Sequence, residues 1–326
     1  MKRPRVRAIG YLLTLTVCVG AGFAACLGRG TAGAASDREP LDLRLLPPTV
    51  ALVAYADLHR IMTSDLRRQV ELLLQSLPEA RDRFRSRTGV DIENDVDRVL
   101  IGVVPAGAEI GGNSDAVVLA RGRFDTARIE SLMQERGAQA TTYRGVRLVR
   151  GDAGGPRGVV AIAFLAPDLI AAGSEALVHA AVDLRDGGDS LASNDTMAAL
   201  LPDLQSNDVW AAGFGAIDRL PGGMVDRVPP INLFTVTATV GSALQGLLRV
   251  EARDERAAGG LRELLRGLLA LARMHAAVRP ELKSVLDGLR LDGAGTTVTL
   301  AFDVPASAFA ALGTLAPSAS LPAFPR

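Results

Sequence analysis

The sequence predicts an α+β fold made of two duplicated units, each an antiparallel sheet with helices packed on one face. Three observations carry this. First, two stretches match: Val50 to Ile61 reads Val-Ala-Leu-Val-Ala-Tyr-Ala-Asp-Leu-His-Arg-Ile, and Val209 to Leu220 reads Val-Trp-Ala-Ala-Gly-Phe-Gly-Ala-Ile-Asp-Arg-Leu. Each is an apolar run with an aromatic in its middle (Tyr55, Phe214) and an apolar-x-Arg-apolar exit, as in a buried strand feeding straight into a helix. Second, a similar order of strand, capped helix and hairpin follows each stretch, the pattern of an internal repeat. Third, hairpins replace regular strand–helix–strand alternation, which favours antiparallel pairing.

Taken in order, residues 41–190 form the first unit. Pro47-Pro48 sets up the strand at Val50, and Asp65 to Arg85 reads as a helix with Leu66, Val70, Leu73, Leu74 and Leu77 on one stripe, ended by Thr88-Gly89. Strands follow at Val99 to Val104 and Ala116 to Gly122. Asp125 is placed to cap a helix through Met133. Tyr143 to Arg150 and Gly158 to Leu165 read as a hairpin, Ala166-Pro167-Asp168 as a turn, Leu169 to Gly173 as a strand, and Ser174 as the cap of a helix to Leu184. Asp186-Gly187-Gly188-Asp189-Ser190 marks the boundary.

The second unit, residues 195–315, opens with a helix from Asp195 that should stop before Pro202. After the strand at Val209 come Leu233 to Val240 and Ala243 to Arg253, joined at Gly241-Ser242 by a tight primed turn. Asp254 stands where Asp125 stood and precedes a helix carrying Leu261, Leu264, Leu265, Leu268 and Leu269. Pro280 to Leu286 is helical, Asp292-Gly293-Ala294-Gly295 makes a hairpin, and Pro305 starts a last helix before a loose tail, residues 316–326. The offset between the copies is 159 at the first strand, 130 before the capped helix and 143 at the later turn, the drift of an old duplication.

The N-terminus carries the clearest chemical signal. Lys2, Arg3, Arg5 and Arg7 precede an apolar run, Ile9 to Phe23, and small residues lead into Cys26. This is the layout of a bacterial export signal. Phe23-Ala24-Ala25-Cys26 resembles a lipobox, whose cysteine becomes diacylated and then N-terminal; Phe23 stands where that pattern prefers Leu. The resemblance implies lipidation at Cys26 and a signal segment of residues 1–26, with the membrane as partner through the lipid; residues 27–40, rich in Gly, Ala, Thr and Ser, read as a flexible tether. Two other outcomes fit the same residues: cleavage at Ala32-Gly33-Ala34, or retention of Ala8 to Leu27 as a spanning anchor. All three place the body in the cell envelope or beyond, outside the cytoplasm.

The only cysteines are Cys18 and Cys26, so the body has no disulfide, thiolate ligand or cysteine nucleophile. Formal net charge is zero, and removing residues 1–26 takes away four bases and no acids, leaving 32 bases against 36 acids. That balance excludes the basic footprint of a nucleic-acid binder. Hydrophobic residues make up 48% but aromatics only 4%, so the core must be packed with Leu, Val and Ala.

No constellation points to catalysis. Asp91, Glu93, Asp95 and Asp97 have the spacing that begins a calcium loop, but Val96 and Gly102 occupy the positions that need Gly and Glu. They read as an exposed turn. His59, His179 and His275 are far apart and lack an HxH or HxxxH partner. Gly151 to Gly158 lacks the Lys-Ser/Thr of a phosphate loop and reads as a hairpin tip. Arg81, Arg83, Arg85 and Arg87, at a spacing of two, spread around a helix end instead of forming a stripe.

Leu46-Pro47-Pro48-Thr49 with Asp57-Leu58, then Thr88-Gly89-Val90-Asp91 and Arg121-Gly122-Arg123-Phe124-Asp125, resemble a class of exported bacterial proteins of unknown function. The resemblance covers mainly the first unit and implies no activity and no catalytic residue. The expected function is therefore that of an envelope lipoprotein with a non-catalytic binding or scaffolding body, needing no cofactor, whose partner is an envelope protein or ligand. Leu27, in place of the Asp that can signal inner-membrane retention, favours the outer membrane. Two other classes stay open: a hydrolase with a site dispersed between the copies, marked by a polar cluster of perturbed protonation in a cleft, and a carrier of an apolar ligand, marked by a large apolar cavity.

Overall fold

The computed structural model describes residues 42–67, 85–86, 88–105, 114–135, 137–152, 159–217, 229–276 and 280–305. The two matching stretches become strands β1 (Leu52–Asp57) and β8 (Val209–Ile217), and they lie side by side. They pair antiparallel, with Leu52 opposite Gly213 and Ala56 opposite Val209. The pairing is extended by backbone hydrogen bonds from Asp57 N to Asp208 O (2.8 Å) and from Phe214 N to Ala51 O (2.7 Å). This seam joins the halves into one 12-stranded antiparallel sheet.

On one side of the seam stand β2 (Val96–Val104), β3 (Asp115–Gly122), β7 (Leu169–Ser174), β6 (Val159–Ala166), β5 (Val146–Asp152) and β4 (Gln139–Tyr143), in that spatial order. On the other stand β9 (Ile231–Val240), β10 (Ala243–Ala252), β12 (Thr297–Pro305) and β11 (Leu289–Asp292). Each half is a three-strand meander whose third strand, β3 or β10, is joined by the last strand of the half, β7 or β12.

Successive side chains alternate between two faces. On the first face, Val53, Leu100, Val117, Leu119, Leu148, Ala163 and Trp210 form a core with Leu43 and Leu46, with Val178 and Val182 of α4 (Glu175–Leu184), and with Met197 and Leu204 of α5 (Asp195–Gln205). On the second face, Ala56, Val99, Ala120, Val209, Ala238, Leu300 and Phe302 form a core that crosses the seam. It is covered by α1 (Leu58–Thr63), by α6 (Glu255–Ala276) and α7 (Pro280–Asp287), and by Ile129 of α3 (Thr126–Gln134); the short α2 (Ile92–Asp95) leads into β2.

Helices therefore cover both faces of the N-terminal half, which corrects the expectation of helices on one face. The cause is the chain from Asp42 to Val50. It crosses the first face and buries Leu43, Leu45, Leu46 and Val50, making that surface too apolar to be left to water. In the C-terminal half α5 packs into the first-face core beside β8, and the described helices after β8 lie on the second face. The first face there carries Thr235, Thr237 and Thr239 of β9, Arg249 and Glu251 of β10, and Thr297 and Thr299 of β12, the one-sided solvation usual in antiparallel sheets.

Local departures from the sequence reading each have a cause. Tyr143 to Arg150 is not one strand: Arg144 (φ 45) and Gly145 (φ 77) make a two-residue turn of positive φ that ends β4 and starts β5. Helix α5 runs through Pro202 to Gln205, because buried Leu204 holds the last turn against the sheet while Pro202 stays exposed. Gly241 is not at positive φ, so the β9–β10 turn is not of the primed type. Asp125 and Asp254 cap as expected, accepting from Arg128 N (3.0 Å) and Ala257 N (2.8 Å). Ser174 does not: it makes no capping bond and its Oγ is buried without a protein partner. The expected helix over Asp65 to Arg85 falls largely outside the described residues, as do the helix after Pro305, the tail and residues 1–41.

Trp210 is 1% exposed and stacks on Tyr55 across the seam, with ring centroids 5.7 Å apart. Trp210→Ala should cost about 3–5 kcal/mol in chemical denaturation, the usual range for emptying a large aromatic site. Leu247→Ala on the open face, where Leu247 is 38% exposed, should cost under about 1 kcal/mol.

Candidate functional site

The densest set of ionisable groups lies along one end of the first face, beneath the Tyr55–Trp210 stack. Strand register places it: Asp57 lies opposite Arg98, Arg98 opposite Arg121, and Asp208 just precedes β8. Asp208 is 5% exposed and fully engaged. Its Oδ1 accepts from Arg60 Nη1 at 2.6 Å and its Oδ2 from Val240 N at 2.8 Å, so one carboxylate ties α1 to the end of β9. Asp57 caps α1, accepting from Arg60 N at 2.9 Å.

Arg121 forms the other clamp. Its guanidinium reaches both oxygens of Asp42, Nε to Oδ2 at 2.8 Å and Nη2 to Oδ1 at 3.0 Å, and Nη1 reaches Asp168 at 2.7 Å. This two-pronged pairing pins the start of the described chain to β3 and to the β6–β7 turn.

Protonation follows from these contacts. Burial, aided by the charge of Asp57, pushes the Tyr55 phenol up to about 12. Burial also raises Asp57, against the opposing pull of the Arg60 amide and the Arg98 charge. The hydrogen bond to Asp208 raises Arg60, and that to Asp42 raises Arg121. These groups act on one another as fixed charges and struts. A tyrosine ionising near 12 is poorly matched to a general base, which works best with a pKa near the operating pH.

A second cluster joins the β4 edge to α4. The Tyr143 hydroxyl donates to Asp183 Oδ1 at 3.1 Å, Arg144 Nε pairs with the same oxygen at 2.6 Å, and the Tyr143 ring stacks on His179 at 4.2 Å. Near the edge on the other face, Arg147 pairs with Glu130 and holds that carboxyl below its usual range.

The open face of the C-terminal half is a grid. Across β9, β10 and β12 its rows read Leu233, Glu251, Thr297; Thr235, Arg249, Thr299; Thr237, Leu247, Ala301; and Thr239, Gln245, Asp303. Burial raises Glu251, but bonds from Arg249 and Thr297 outweigh it and leave the carboxyl below its usual range. Such a face can exchange hydrogen bonds with a flat polar partner.

The residues singled out in the sequence do not come together. Cys26 and Arg81, Arg83 and Arg87 lie outside the described residues, as do the tip after Asp152 and the side chain of His275. His59 is on α1 and His179 on α4, on opposite faces of the sheet. Asp91, Asp95 and Asn94 close a turn on themselves: Asp91 N donates to Asp95 Oδ2 at 2.7 Å, Asn94 Nδ2 to Asp91 Oδ2 at 3.0 Å, and Arg85 pairs with Asp91 at 3.2 Å. Among the described residues no group of three or more His, Cys, Asp or Glu could hold a metal ion, and no helix is long and apolar enough to cross a membrane. Sequence reasoning missed Asp42, Arg121, Asp168 and Asp208. The signal for Asp208 was its place directly before the second matching stretch, but Asp42 and Arg121 are 79 residues apart with nothing local to link them.

No family model matches the chain, and no curated protein matches it. Among solved structures, crystal form I of TP0453 is similar, with a TM-score of 0.51 at 10% identity, covering 85% of this chain and 98% of that one. At that identity the likeness concerns the fold.

The raised Asp57 makes a signed prediction. A carboxyl raised on folding contributes stability that is complete below its unfolded pKa, about 3.9, and lost as pH rises through the folded value. Asp57→Asn keeps the capping oxygen, so its stability relative to wild type should grow as pH rises from about 4 and then level off, while Asp57→Ala should follow the same trend about 1 kcal/mol below Asp57→Asn because it also loses the cap. An advantage of Asp57→Asn that grows instead as pH falls contradicts this; thermal melts across pH decide it.

Proposed function

We propose that the chain is an exported lipoprotein, tethered to a membrane through Cys26, whose body is a non-catalytic binding or scaffolding module in the cell envelope. The observation that carries it is the N-terminal layout: a basic start, an apolar core and Ala24-Ala25 before the cysteine. The body supports the second part. Its ionisable clusters are engaged in holding elements to one another: Arg121 with Asp42, Arg60 with Asp208, and Tyr143 with Asp183. The polar face formed by β9, β10 and β12 has no described helix over it and offers a partner a row of hydrogen-bonding side chains. Leu27 after the cysteine favours the outer membrane in a cell that has two.

We also propose that the two halves arose by duplication. Both are three-strand meanders followed by an Asp-capped helix and returning strands, the last of which pairs with the third. The seam supports this independently: Val53 lies opposite Ala212, which is its own counterpart at the sequence offset of 159. A two-fold axis through that pair would exchange β1 and β8.

Two or more acyl chains hold a protein firmly, whereas one gives marginal attachment. Cys26→Ser should therefore abolish fatty-acid labelling and move the body from the membrane to the soluble fraction. Wild type that takes up no labelled fatty acid, with a variant that stays membrane-bound, would favour an uncleaved anchor instead.

A further inference from the structure

The position of Asp42 assigns a direction to the body. We infer that the end of the sheet carrying the Asp42–Arg121 clamp faces the lipid bilayer and that the opposite end points away from it, an inference that rests on the proposed anchor at Cys26.

Strand register divides the turns into two sets. At the clamp end lie the start of α1, the Arg144–Gly145, Pro167–Asp168 and Gly241–Ser242 turns, and the end of α4 at Arg185 and Asp186. At the other end lie the starts of β3 and α6 and the hairpin from Gly293 to Thr296. The described chain begins at the first set. Asp42 is fixed there by the two-pronged bond from Arg121, and Leu43, Leu45 and Leu46 are buried behind it at 1%, 3% and 0% exposure. The chain then rises along the first face, its far end marked by the bond from Ala51 N to Val103 O at 3.0 Å.

Length decides what the bilayer meets. From Leu27 to Pro40 there are 14 residues, and a coil of that length spans about 20 Å. Strand β10, with 10 residues between the two ends, is about 30 Å long at 3.4 Å per residue. Turning the far end to the membrane would require the tether to run back about 30 Å along the body, half as far again as the coil's own span and more than half of its full extension of about 50 Å. The clamp-end cations Arg60, Arg121 and Arg144 are each paired with an acid.

The test uses the processed lipoprotein in phosphatidylcholine vesicles bearing a fluorescent acceptor on the headgroup. The body has no cysteine of its own, so single donors can be placed at Ser242→Cys and Asp186→Cys on the clamp end, and at Asp115→Cys and Ala294→Cys on the far end. Energy transfer to the lipid should be higher for both clamp-end donors, and raising the salt should not change that order. Equal or reversed transfer on vesicle-bound protein overturns the inference and leaves the lipoprotein reading standing. Protein that does not float with the vesicles, or carries no acyl chain on Cys26, removes both.

Discussion

Everything in this body hangs on the pairing of β1 with β8. Leu52 to Ala56 and Val209 to Gly213 form the only ladder between the N-terminal and C-terminal strand sets among the described residues. Without it each half would expose a strand edge, with its row of unmade hydrogen bonds and a tendency to pair elsewhere. With it, the second-face core runs unbroken from Ala56 and Val99 to Val209 and Ala238. On the first face Tyr55 meets Trp210 across the same ladder. Asp208 completes the seam at its end, where a buried carboxylate fixes α1 and β9 at once.

The seam also explains why the halves are clothed differently. The chain from Asp42 must cross the first face of the N-terminal half to reach the start of β1, and it buries leucines as it goes. Helices α4 and α5 extend that cover, and Trp210 carries it one strand past the seam. Beyond β8 the same face turns to threonine and paired charge, while α6 and α7 protect the other side. A sheet covered on both sides in one half and on one side in the other is thus the product of where the chain enters.

How much of this was legible in the sequence depends on the range of the interaction. Strands β1, β2, β3 and β8 showed as apolar runs, and Asp125 and Asp254 announced their helices because a cap is read within three residues. Strand β4 did not show: Gln-Ala-Thr-Thr-Tyr at an edge has no buried face to impose alternation, and its turn uses Arg-Gly in place of the usual Asn-Gly. Ser174 looked like a cap, but it is half-buried at the end of β7 and its buried Oγ finds no protein partner. The clamps were invisible for another reason. Arg121 with Asp42, and Arg60 with Asp208, join residues 79 and 148 positions apart, and only the folded sheet brings them together.

That the seam joins the two strand sets into one cooperative body is open to direct test. Native-state hydrogen exchange across a denaturant series measures this directly, because it reports the opening free energy of each amide. The account predicts that the ladder amides of β1 and β8 and the core amides of β3 and β10 exchange only through the same global unfolding, merging at one free energy. Separate isotherms, with β10 and β12 opening well below β3 and β7 while β1 stays protected, would show two independent units resting side by side and would contradict it.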